Sequence, residues 1–184
     1  FVSANVGRAT ALYGKHRRSE TAAWVDDAVS SCRAALAVDS LCGEAHRVLS
    51  NIYGNIGESD RSIEELTRAV RVNPRDPGAR HDLAFAYLRV GQYDKCEQVC
   101  RAAILANPYY WGPYEDLGYV LYVLGRYDEA IAEFERVAAL APDYGATYNY
   151  LGALYYITER WDDAIAGFEK SFALQKSYDA CANL

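Results

Sequence analysis

The chain has 184 residues, 51% hydrophobic and 24% charged, so it is long enough to bury a core and too apolar for a disordered tail. A net charge of −6 and a pI near 5.1 leave it without the basic footprint of a general nucleic-acid binder, so no nucleic acid is expected as a partner. The longest strongly apolar run, Tyr119 to Leu124, falls far short of the roughly 20 residues a membrane-spanning helix needs, so no membrane is expected either. The first residues carry no signal-peptide pattern and the sequence holds no Met, which reads as a segment of a longer protein. Five cysteines without framework spacing, and no Asn-x-Ser/Thr acceptor, point to a reducing compartment, taken as the cytoplasm.

In chain order, Val2 to His16 reads as a helix. "WVDDAVSSCRAALAVDS", Trp24 to Ser40, parallels "WDDAIAGFEKSFALQKS", Trp161 to Ser177, and reads as its partner. "KHRR" stands where Leu and a small residue are expected, so residues 1–42 form a degenerate first unit with a shifted or lengthened turn. From Gly43 the register becomes regular. Leu49, Leu83, Leu117 and Leu151 stand 34 residues apart, each followed by a small residue: Ser50, Ala84, Gly118, Gly152. Tyr53, Tyr87, Leu121 and Tyr155 keep the same step, as do Leu66, Cys100, Phe134 and Phe168. The units are 43–76, 77–110, 111–144 and 145–177, punctuated by Pro74, Pro108 and Pro142. "SYDACANL" opens a further first helix at 178–184, in a register one residue short.

Within a unit the apolar positions recur at three- and four-residue steps, the period of an amphipathic helix. Gly57, Gly91 and Gly125 fall just after the first helix, where a left-handed residue is cheapest for Gly. Asp60, Asp94 and Asp128 follow, as caps opening the second helix. Each unit therefore reads helix, turn, helix, connector. Helices of about 13 residues are marginal alone in water, so the hairpins must stack and draw stability from their neighbours. The small residues after each Leu let paired helices approach closely. A last full helix left uncovered exposes apolar surface, so self-association through the array ends is expected.

Tyr114-x2-Leu117-Gly118-x2-Leu121 with Ala130-x3-Phe134 and Pro142, and Tyr148-x2-Leu151-Gly152-x2-Tyr155 with Ala164-x3-Phe168, resemble the tetratricopeptide repeat. That resemblance implies an all-α fold, an α-α superhelix or solenoid of antiparallel helix hairpins. It also implies a right-handed twist and a concave groove lined by the first helix of each unit.

Nothing in the sequence carries the pattern of an enzyme or of a cofactor site. Cys96-x3-Cys100 puts two thiols on one helix face, but both stand in packing columns, as does Cys32. His16, His46 and His81 are far apart and form no metal-ligand spacing. The paired acids of "RYDEA" and "RWDDA" recur at helix starts, so they read as caps and not as a general acid and base.

One step off the Leu column lie the first-helix residues expected to face the groove. They are Arg47, Asn51 and Asn55; His81, Asp82, Phe85 and Arg89; Glu115, Asp116, Tyr119 and Tyr122; and Asn149, Tyr150, Ala153 and Tyr156. Aromatics mixed with hydrogen-bonding and charged groups make the composition of interface hot spots. Asp82, Glu115 and Asp116 outnumber Arg89, so the expected partner is a protein or peptide with a basic or aromatic-apolar segment. Tetratricopeptide proteins that hold chaperone tails resemble one another in a basic clamp, whose first part Arg47 and Asn51 match. Asp82, Gly112 and Asp116 stand where its remaining Asn and basic residues are needed, which argues against such tails. Two alternatives stay open: a regulatory array of a larger enzyme, for which "FEKSFALQKSYDACANL" is loosely similar to arrays on bacterial serine/threonine kinases, and a self-assembling scaffold.

Overall fold

The computed structural model describes residues 2–16 and 23–182; the side chains of residues 13, 15, 16, 23 and 177–182 are outside the description. "KHRR" therefore lies largely outside the described residues. Among the described residues ten helices and no strand occur. They are α1 Val2–His16, α2 Ala23–Val38, α3 Gly43–Asn55, α4 Ser59–Val72, α5 Pro77–Arg89, α6 Tyr93–Ala106, α7 Gly112–Val123, α8 Tyr127–Leu140, α9 Gly145–Ile157 and α10 Trp161–Ala182. The chain divides into two compact units, residues 1–91 and 92–184.

In the N-terminal unit each of α1 to α5 packs on the next, and α1 also reaches α3. Ala9, Ala28, Cys32, Leu49, Ile52 and Tyr53 form one buried cluster, and Val6, Ala35 and Ala45 another. Between α3 and α4, His46 Nδ1 lies 2.6 Å from Glu65 Oε2, and the other Glu65 oxygen accepts from Arg68 at 2.8 Å. Both His46 and Glu65 are buried. Burial pushes the Cys32 thiol up to about 12, with Cys42 and Glu65 adding to it.

In the C-terminal unit α6 to α10 likewise pack in order. Leu117, Val120, Leu121, Phe134, Val137 and Leu154 are fully buried. A Cβ at Gly118 would stand 2.8 Å from Phe134 Cε2, and one at Gly152 2.9 Å from Phe168 Cδ1. The small-residue column thus gives the aromatic ring its seat. Gly167 meets main chain instead: its Cβ would lie 3.0 Å from the backbone of Gly152. Cys96 and Cys100 are buried in their packing columns. The bond from Cys96 and burial push the Cys100 thiol far up.

The hairpin turns follow from the glycines. Gly57, Gly91 and Gly125 have φ of +82°, +73° and +73°. The following amide reaches back to close the turn, as from Glu58 to the Tyr53 carbonyl and Arg126 to that of Leu121, each at 2.9 Å. In the last hairpin Glu159 takes this place with φ +59°, and Arg160 N donates to the Tyr155 carbonyl at 2.8 Å. The geometry survives without glycine, at a steric cost.

Two expectations need correction. Asp60, Asp94 and Asp128 are not caps: the N-cap residues are Glu58, Gln92 and Arg126, none with a side-chain cap bond. The aspartates sit one position inside the helix and favour its dipole only. Phe168 is 40% exposed, as a last helix left uncovered implies: Phe134 is covered by Tyr150 of the following first helix, whereas no described helix follows α10. Finally, α10 runs unbroken to Ala182 through the boundary expected at 177. Lys176 stands where Pro108 and Pro142 end the earlier second helices, so nothing there removes an amide from the ladder.

Candidate partner-binding surface

At about 100° per residue, burying Leu117, Gly118 and Leu121 of α7 turns Tyr119 and Tyr122 outward. They are 37% and 39% exposed, which is low for the outer side of a helix. The rings of other tyrosines account for it. Tyr119 meets Tyr150 of α9 edge-on at 6.3 Å and Tyr122 at 6.4 Å, and Tyr122 meets Tyr127 of α8 at 6.1 Å. Tyr150 in turn stacks on Phe134 at 4.9 Å, so it serves the core and the surface at once.

Glu115 closes the other end of this strip. Tyr144 Oη donates to Glu115 Oε1 at 3.0 Å, and the Tyr144 ring packs on Trp111 at 4.6 Å. Burial first, then Glu115, pushes the Tyr144 phenol up to about 12. Burial, Glu115 and Tyr119 also raise that of Tyr150. The strip thus presents ring faces, phenol donors and one carboxylate, all anchored by neighbours.

Other expected site residues lie elsewhere. Tyr156 pairs with Trp161 at 5.3 Å, apart from these contacts, and Asn149 is exposed. Asp116 is half-buried, and its charge adds to the forces that push the Cys100 thiol up. In the N-terminal unit Arg47 Nε donates to Asp82 Oδ2 at 3.0 Å, and its Nη1 lies 3.6 Å from Asp76 Oδ2. Asp82, expected as part of an acidic excess, is therefore neutralised by Arg47, and the two tie α3 to α5. Asp76 caps α5 by accepting from Gly78 N at 2.9 Å. Gly78 makes room for the guanidinium, since a Cβ there would fall 2.9 Å from Arg47 Nη2. His81 stacks on the exposed Phe85 at 6.5 Å; Asn51, Asn55 and Arg89 are exposed.

Trp111, Tyr144 and Tyr127 escape the column count because they lie in or beside connectors. Only Trp111 has a sequence hint, the aromatic density of "YYWGPY". Among the described residues no group of three or more His, Cys, Asp and Glu is placed to hold a metal ion, and no helix is long and apolar enough to cross a membrane.

Family models described as tetratricopeptide repeat match residues 57–112 and 112–177. The chain belongs to the tetratricopeptide-repeat family. Solved structures agree with that fold. A MamA protein superposes with a TM-score of 0.76 at 21% identity, over 97% of this chain and 94% of that one. MamA 41-end from Desulfovibrio magneticus RS-1 gives 0.72 at 17%, over 94% and 97%. YrrB, described as a TPR protein with an unusual peptide-binding site, gives 0.68 at 18%, over 94% and 85%. No curated protein matches the chain. As expected for tetratricopeptide hairpins, small residues sit at the tight helix crossings.

Proposed function

We propose that the chain is a non-catalytic protein-interaction module that docks an extended peptide or a helix on the tyrosine strip of its C-terminal unit. The observation that carries this reading is the chain of ring contacts from Phe134 through Tyr150, Tyr119 and Tyr122 to Tyr127, with Glu115 beside it. Rings already fixed by one another lose little freedom on binding, which favours them as anchors. A peptide-binding site in the similar YrrB supports the same use of the fold. The carboxylate selects for Lys or Arg in the partner, and the rings for aromatic or aliphatic side chains.

A library of synthetic peptides, tested by calorimetry, checks this. Tyr119→Ala with Glu115→Lys weakens the best basic-aromatic peptide by roughly tenfold or more, and Tyr156→Ala leaves it unchanged. If the double variant binds every captured peptide as the unaltered chain does, the strip is not the site. A second reading rests on Ile165, Phe168 and Phe172, exposed along α10. Association in sedimentation runs that Phe172→Glu alone abolishes would favour a self-assembling scaffold.

A further inference from the structure

The N-terminal unit holds a polar recess that the tyrosine strip does not involve. Gly54 in the last turn of α3, Ser59 and Ser62 in the first turn of α4, and Ala86 and Arg89 on α5 line an open notch. Its room is about 10 Å³, the space of one water-sized oxygen. Gly54 leaves it open. A Cβ there would stand 3.4 Å from Ser62 Oγ and 3.7 Å from Arg89 Nη1, so two donors converge on the volume of the missing methyl.

Three features set the notch apart from a packing gap. Ser62 is only 7% exposed, yet its hydroxyl bonds to no described residue. Ser31 and Thr67 turn theirs onto the carbonyl four residues back, at 2.8 Å each; Ser62 does not. Arg89 has no carboxylate partner among the described residues; Arg33, Arg71, Arg75 and Arg136 share that lack, but of these Arg89 lines the notch. No side chain caps the amides of α4, because the carboxylate of Glu58 is taken by Arg61 at 2.7 Å.

We propose that the notch binds a small oxyanion, a carboxylate or a phosphate group, placing one oxygen over Gly54. Ser62 Oγ donates to that oxygen, the Arg89 guanidinium grips the anion from α5, and the positive end of α4 faces it. The open form is particular to this hairpin. At the positions of Gly54 and Ser59 the later hairpins carry Leu88 and Tyr93, Tyr122 and Tyr127, and Tyr156 and Trp161. None of the clamp positions Arg47, Asn51, Asp82, Gly112 and Asp116 takes part, so the proposal stands apart from the tyrosine strip. Asp60, exposed in the same turn, competes with a bound anion.

The test is amide and Arg Nε–H chemical-shift titration with sodium phosphate and, separately, sodium acetate, at constant ionic strength. Saturable shifts centred on residues 59–62 and Arg89 are expected, and the tighter of the two salts identifies the oxyanion. Gly54→Ala fills the notch at ordinary contact distance and introduces a better helix former, so it folds. It and Arg89→Gln each weaken binding by roughly tenfold, and Asp60→Asn tightens it. Shifts that stay linear with both salts, or that are the same in Gly54→Ala and Arg89→Gln, overturn the proposal.

Discussion

The two units use one repeat register in opposite ways. In the N-terminal unit Ser31, His46, Ser50, Ser62 and Glu65 are buried, whereas in the C-terminal unit Thr147 is the one buried polar side chain among the described residues. Where Tyr122 and Tyr127 touch in the C-terminal unit, Gly54 and Ser59 leave a recess in the N-terminal one. The first-helix charges differ likewise: Asp82 is consumed by Arg47, but Glu115 stands at an aromatic surface and accepts from the Tyr144 phenol. Hairpin geometry is thus kept by a few columns, and the positions between them set what each unit can bind.

The largest expected effect tests whether the polar interior of the first unit bears load. Glu65→Ala strips His46 and Arg68 of their shared carboxylate inside the protein and costs about 3 kcal/mol in denaturant unfolding. Thr147→Val removes a buried hydroxyl that has no partner, so it leaves stability level or raises it. Equal losses from both would erase the contrast. Next, Gly118→Leu drives a side chain into the fully buried Phe134 and costs roughly 2–3 kcal/mol. Gly152→Leu meets Phe168, which can swing into solvent, so its loss of melting temperature is smaller. The smallest change is Glu159→Gly. It relieves a left-handed residue that the other turns assign to glycine and raises stability by roughly 0.5–1 kcal/mol.

Much of the fold was legible because it is periodic. The Leu column and the residue after it locate the helix crossings, and Gly57, Gly91 and Gly125 mark the turns. Tyr119, Tyr122 and Glu115 could be placed by counting around one helix. What could not be read depends on distances between helices. Arg47 reaches Asp76 and Asp82 on α5, and the notch at Gly54 needs three helices to exist. Helix starts are hidden for a local reason: the chain enters α4, α6 and α8 through Glu, Gln and Arg, which supply no cap bond, so the first aspartate is the nearest cap-forming residue type in the sequence of α6 and α8. The end of α10 was misjudged because a repeat count expects a stop that the residues at that point do not enforce.

The meeting of Gly152 with Gly167 has a further consequence. Here the main chains of α9 and α10 come into contact, with the Phe168 ring seated beside the crossing on Gly152. A side chain larger than hydrogen at Gly167 would push the two helices of the terminal hairpin apart. The terminal hairpin is therefore joined by this close crossing on its inner side, while Phe168 and Phe172 stay exposed on α10.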